Sequence, residues 1–127
     1  MQLTVRTKQT GPGVITLMPR GSLDANTHGL LDQAVGRVLP EPIKMLVLDM
    51  EGVDFVSSAG IGSIMKAKKS ITSKGGELAL TNLQPQIKKA IEIMQLLPSL
   101  GVFESRAELD EYLGKIQRQV TGEDEEP

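Results

Sequence analysis

Four consecutive apolar residues, Met45-Leu46-Val47-Leu48, constrain this chain more than any other feature. A strand with one face in water alternates apolar and polar residues. A run that is apolar on both faces must be covered on both, which is the position of a central strand in a parallel sheet lined by helices. The flanking segments supply that cover. Leu30, Leu31, Ala34, Val35 and Val38 repeat at helical spacing, predicting a helix that starts near Asp24 to Thr27 and is stopped by Pro40 and Pro42. Further on, Gly60, Ile64, Ala67 and Ile71 form one stripe with Ile61 and Met65 beside it, while Lys66, Lys68 and Lys69 lean toward water and Lys74-Gly75-Gly76 ends the helix.

The remaining segments complete the pattern. Residues 2–8 alternate, Gly11-Pro12-Gly13 turns the chain, and Val14 to Met18 returns as a second strand, predicting an antiparallel hairpin. Asp49 to Ser57 reads as a loop. Glu77 to Leu80 reads as a fourth strand, Ile87, Ala90, Ile91 and Met94 as the buried stripe of a third helix closing before Pro98, and Val102-Phe103 as a short edge strand. Ser105-Arg106-Ala107-Glu108 has the form of a capping box opening a last helix over about 106–118, docked by Ala107, Leu109, Leu113 and Ile116. The expected class is α/β: a small open mixed sheet of four to five strands with about four helices and parallel crossovers. With 127 residues there is room for one core, assigned to residues 1–121. Residues 122–127 carry four acids and no apolar side chain, so they are expected to form a disordered tail.

Composition excludes several kinds of chemistry. Fourteen Lys and Arg face sixteen Asp and Glu, four of those acids being Glu123 to Glu126, so the folded body is near neutral and carries no broad basic footprint for nucleic acid. Phe55, Phe103 and Tyr112 are the only aromatics, too few for a base-stacking platform. There is no cysteine, and His28 is the only imidazole. His28 lies four residues after Asp24 and is placed to face it, with no companion ligand or nucleophile, as a surface residue. No apolar run approaches the roughly 20 residues that cross a bilayer, and the N-terminus alternates like a strand rather than a secretion signal, so no membrane insertion is expected and the simplest address is the cytoplasm.

Enzyme motifs fail in turn. Gly60-Ile61-Gly62 is followed by Met65 where a dinucleotide fingerprint needs glycine, no Gly-Lys-Ser/Thr phosphate loop occurs, and Val56 and Ser57 break any Gly-x-Ser-x-Gly elbow around the serines. No catalytic residue, cofactor or metal site is therefore expected. What remains is Asp54-Phe55-Val56-Ser57-Ser58-Ala59-Gly60-Ile61-Gly62, which delivers two hydroxyls to a helix N-terminus at the carboxyl edge of the sheet. Spacing alone is satisfied by a serine that caps the helix. Spacing favours that reading; the sharper alternative is a phosphoacceptor, because free N–H groups and the positive end of the helix dipole tolerate a phosphate.

These residues resemble the STAS domain family (sulphate transporter and anti-sigma factor antagonist), especially its stand-alone bacterial anti-anti-sigma factors. Gly21-Ser22-Leu23-Asp24 is similar to the family's Gly-x-Leu-Asp signature after the second strand. Leu46-Val47-Leu48-Asp49 and Val53-Asp54-Phe55 are similar to the strand and loop before its phosphorylation site, and Phe103-Glu104-Ser105 with Ala107-Glu108 to its C-terminal strand and capped helix. The family's Asp-Ser-Ser/Thr-Gly-Leu/Ile-Gly places its acceptor on Ser58, matching Gly60, Ile61 and Gly62, while Ser57 replaces the acidic residue and Ala59 the second hydroxyl.

The resemblance implies an anti-sigma factor antagonist, not an enzyme, that binds an anti-sigma serine kinase when unphosphorylated and releases it when Ser58, or Ser57 as alternative acceptor, is phosphorylated. Asp24, Asp54, Ser57, Ser58 and Gly60 are the implied contacts, and a weak homodimer is compatible with it. The alternative is an accessory STAS subunit of a transport complex, which needs no switch. Without the resemblance the same residues read more plainly: Asp24 as a helix cap, Asp49 as a solvated strand end, Gly60 and Gly62 as small residues that let a helix approach the sheet.

Overall fold

A computed structural model of the chain describes residues 2–93 and 101–112. Among the described residues six strands and four helices follow one another: β1 (Leu3–Gly11), β2 (Val14–Leu23), α1 (His28–Val38), β3 (Met45–Asp49), β4 (Gly52–Val56), α2 (Ser58–Ser73), β5 (Glu77–Thr81), α3 (Pro85–Ile93), β6 (Gly101–Phe103) and α4, described over 106–112. The sheet order is β1-β2-β3-β5-β6, with β4 also paired to β2. The β1–β2 hairpin is antiparallel; the pairs β2–β3, β2–β4, β3–β5 and β5–β6 are parallel. The α/β class and the open mixed sheet are as expected, with one strand more.

The extra strand comes from the stretch read as a loop. β2 does not stop at Met18 but runs on to Leu23, and its far half pairs with β4 from Arg20↔Gly52 to Leu23↔Val56. Val53 and Val56 are buried while Asp54 and Phe55 between them are exposed, because the register shifts between Gly21 and Ser22. Two consecutive exposed residues destroy the alternation by which a strand is recognised in sequence. β3 and β4 therefore lie end to end along one edge of β2, and β1 covers the other.

Met45 to Leu48 is buried on both faces, as its composition requires. The inner face of the sheet, with Leu3, Leu17, Leu46, Leu48, Leu78 and Leu80, packs against Leu31, Val35 and Val38 of α1, Ile61, Ile64, Ala67 and Ile71 of α2, and Ile87 and Ile91 of α3. The outer face presents Val14, Met45, Val47 and Ala79 to Leu109 of α4. Tyr112 packs against Phe103 with ring centroids 5.2 Å apart and planes tilted by 47°, and partial burial followed by the charge of Glu77 pushes its hydroxyl pKa up. Ser105 Oγ accepts the Glu108 N–H at 3.2 Å, the serine half of the expected capping box. Arg106 ties α4 to the hairpin, donating from Nη1 to the hydroxyls of Thr10 and Thr16 at 3.2 and 3.1 Å.

Some expected core positions differ. Leu30 is 45% exposed on the outer side of α1, Met65 and Ala90 are half-buried, and Ala107 is exposed while Leu109 is the buried apolar residue of α4 among the described residues. A stripe wider than the surface it meets leaves its margin in water. Met94, Leu113, Ile116 and the 122–127 tail lie outside the described residues.

Two glycines of α2 behave oppositely. A Cβ on Gly60 would stand 2.4 Å from the Leu23 carbonyl oxygen, so only glycine lets this helix touch the end of β2; a Cβ on Gly62 would meet nothing within 4 Å. Gly60→Ala is expected to destabilise the fold by about 1–3 kcal/mol through overpacking, and Gly62→Ala to stabilise it by up to about 1 kcal/mol through helix propensity. Urea unfolding of both variants checks this pair.

Candidate functional site

The site begins at the last residue of β2. The Leu23 carbonyl accepts the Ser57 N–H at 2.9 Å, fixing where the chain leaves β4 and enters α2. Ser57 is extended, with φ −90° and ψ 175°, and is the N-cap: its Oγ accepts the Gly60 N–H at 3.3 Å. Ser58 is the first helical residue and is exposed. The two adjacent serines are thus divided between roles. Ser57 takes the capping role, which leaves the Ser58 hydroxyl at the surface beside N–H groups that have no partner within the helix. The first turn holds no acidic side chain of its own, and the positive end of the helix dipole there favours added negative charge.

Of the other residues singled out by sequence, Asp24 lies across from this turn, half-buried, and its Oδ1 accepts the N–H groups of Asn26 at 2.9 Å and Thr27 at 3.2 Å. It shapes the turn before α1; the N-cap itself is Thr27, whose hydroxyl donates to the Ser22 carbonyl at 2.7 Å. Asp54 is exposed on β4, its Oδ1 accepting from the buried Ser22 hydroxyl at 3.3 Å. Gly60 is buried against Leu23 and holds the helix in place. Asp24, Asp54, Ser57 and Ser58 therefore gather at the carboxyl ends of β2 and β4, with Gly60 beneath them.

A set of contacts that sequence reasoning missed fastens this edge from the β5–α3 connection. Asn82 Nδ2 donates to Asp49 Oδ1 at 3.2 Å, Gln84 Nε2 to the Glu51 carbonyl at 2.8 Å, and Gln86 Nε2 to the Asp54 carbonyl at 3.2 Å. Asp49 also accepts the Glu51 N–H at 3.1 Å, so it organises the β3–β4 corner rather than simply ending a strand in water. The alternation of three carboxamides at 82, 84 and 86 was the available signal. Phe55, next to this edge, is 52% exposed, an aromatic left without cover.

His28 does not face Asp24 through its side chain. Its Nδ1 lies 3.1 Å from Ser63 Oγ and 3.4 Å from Asp32 Oδ2, bridging α1 to α2. Both contacts use the same ring nitrogen, so the Asp, His and Ser do not form the relay that nucleophile activation needs. Among the described residues no three His, Cys, Asp or Glu side chains converge as metal ligands.

Comparison with known proteins identifies the class of protein to which this fold belongs. An anti-sigma F factor antagonist of Paenibacillus polymyxa is 28% identical over 97 residues, covering 73% of this chain and 80% of that protein. The structure of an anti-sigma factor antagonist from Mycobacterium paratuberculosis superposes with a TM-score of 0.76 at 22% identity, covering 91% of this chain and 94% of that one. The phosphorylated form of the Bacillus cell fate determinant SpoIIAA superposes with a TM-score of 0.66 at 14% identity, covering 86% and 99%. The pattern of the STAS domain family matches residues 6–109, and the chain belongs to that family.

The division between the serines is measurable. Ser57→Ala removes the cap and is expected to cost about 1 kcal/mol, whereas Ser58→Ala should stay within about 0.5 kcal/mol of the parent, as at an exposed site free of such a contact. Chemical denaturation of the two variants compares them directly.

Proposed function

We propose that this protein is an anti-sigma factor antagonist that switches partners through Ser58. In its unphosphorylated form it binds an anti-sigma factor that is also a serine kinase; phosphorylation of Ser58 by that kinase releases it, and the protein performs no catalytic step of its own. The observation that carries this reading is the exposed Ser58 hydroxyl at the first turn of α2, with Ser57 engaged as the cap. The names of the sequence relatives support the partner class. That SpoIIAA has been solved in unphosphorylated and phosphorylated forms on this same fold supports a switch that leaves the domain folded.

The physical mechanism needs no rearrangement of the sheet. A phosphoryl group brings a charge of about −1.5 to −2 at neutral pH, to an edge where Asp24 and Asp54 already place carboxylates. A partner surface complementary to the bare hydroxyl then meets a bulky dianion. A coupling of about 1–3 kcal/mol between phosphate and partner changes affinity by about 5- to 150-fold, enough to decide a competition. Asp24, Asp54, Ser57 and Ser58 form the contact edge, and Gly60 sets its height above β2. A cytoplasmic address accords with this role, and none of the described helices is long and apolar enough to cross a membrane.

Incubation with the cognate kinase and ATP, followed by mass spectrometric localisation, is expected to place one phosphate on Ser58. Ser58→Ala should remain bound to the kinase in the presence of ATP, and Ser58→Asp should bind about 5- to 150-fold more weakly by calorimetry. Phosphate on Ser57 would move the acceptor by one residue. Modification of neither serine, with binding unaffected by Ser58→Asp, would overturn the switch in favour of an accessory STAS subunit.

A further inference from the structure

β4 reaches the serines with one side open. It pairs with β2 along one edge, and among the described residues no strand lies along the other. Val56 ends the strand, Ser57 caps α2 and Ser58 is the first helical residue, so no loop separates β4 from the Ser58 hydroxyl and any shift of β4 is passed on to it. A strand of 5 residues held on one side is weakly fixed. A pair of glutamines supports the open side. Gln86 Nε2 donates to the Asp54 carbonyl at 3.2 Å and to Gln84 Oε1 at 2.8 Å, and Gln84 Nε2 donates to the Glu51 carbonyl at 2.8 Å. Both hydrogens of the Gln86 amide are thereby used, and the two carboxamides donate to backbone carbonyls as the N–H groups of a neighbouring strand would. The pair is rooted in α3. The Gln84 carbonyl accepts the N–H groups of Ile87 and Lys88 at 2.9 and 3.0 Å, Pro85 opens the helix with its φ already set, and Ile87 is buried in the core. Ahead of them Asn82 has φ 57°, a left-handed conformation that asparagine tolerates, and its Nδ2 donates to Asp49 Oδ1 at 3.2 Å.

On the reading that Ser58 is the phosphoacceptor, we propose that Gln86, joined to Gln84, is a positioning residue for its phosphorylation. The two side chains stand in for a missing strand: they hold the Asp54 backbone against the start of α3, and through it fix where the Ser58 hydroxyl meets a docked kinase. Gln86 acts through the backbone of β4, not on the hydroxyl itself. Phosphoryl transfer needs the acceptor oxygen in line with the leaving group, and a misplacement of about 1 Å costs on the order of a hundredfold in rate. Docking is less exacting, because it is shared among the side chains of Asp24, Asp54 and Ser57. Loss of the brace is therefore expected to lower turnover at Ser58 and to leave affinity for the kinase nearly as it was. A glutamine that only stabilised the fold would change neither quantity selectively.

The test uses the full chain and its Gln86→Met and Gln86→Glu variants. Methionine keeps the length of the side chain without the donor, and glutamate sets a carboxylate beside two acceptors, the Asp54 carbonyl and Gln84 Oε1. Amide hydrogen exchange followed by NMR is expected to quicken about 2- to 10-fold at residues 53–57 in Gln86→Met, and further in Gln86→Glu, with β3 and β5 unchanged. In phosphorylation by the cognate kinase with ATP, kcat should fall about 3- to 30-fold while KM stays within about twofold of the parent. Unchanged exchange at residues 53–57 would overturn the brace. Quickened exchange with kcat unchanged would overturn its positioning role, as would a rise confined to KM, which would make the glutamines docking contacts. In each of these outcomes the parent still takes its phosphate on Ser58, so the reading of that serine stands. A parent chain that takes none there overturns that reading and the positioning role together.

Discussion

The contact between the end of β2 and the start of α2 is the constraint on which the working edge depends. The Leu23 carbonyl receives the Ser57 N–H, and Gly60 lies so near the same carbonyl that no side chain fits between them. A strand and a helix held this closely fix the first turn of α2 in height and direction. Which serine caps and which faces water then follows from backbone geometry. Ser57 is extended and its hydroxyl turns back to Gly60; Ser58, one residue later, has entered the helix and points outward. The chemistry open to the site is set by that one-residue difference.

Much of the fold was legible because its signals are local and repeated. The doubly apolar Met45 to Leu48 demanded a central strand and occupies one, with Leu46, Val47 and Leu48 fully buried. The α2 stripe of Gly60, Ile64, Ala67 and Ile71 is buried as its spacing required. β4 was lost because its pairing is irregular: with Asp54 and Phe55 both exposed, the period of two disappears over a five-residue strand. Leu30 was misplaced because helical spacing specifies a stripe but not the width of the surface that receives it.

The site was legible in its residue types and less so in its connections. Ser57 and Ser58 could be located, yet which of them capped the helix depended on φ and ψ at Ser57, which spacing does not specify. Long-range side-chain bonds carry no periodic trace at all. Ser22 to Asp54, and Asn82, Gln84 and Gln86 to the β3–β4 corner, join residues more than thirty positions apart. His28 illustrates the converse, since its sequence neighbour Asp24 holds its backbone while the ring finds Asp32 and Ser63.

β2 is a single template read twice. Its first half aligns the hydrophobic centre through β3, and its second half aligns the serine edge through β4. Sliding one residue along such a template would invert every side chain of the incoming strand. A displacement of β2 itself would therefore reach the serine edge as surely as the interior, so that a well-folded centre and a correctly aimed serine are obtained together.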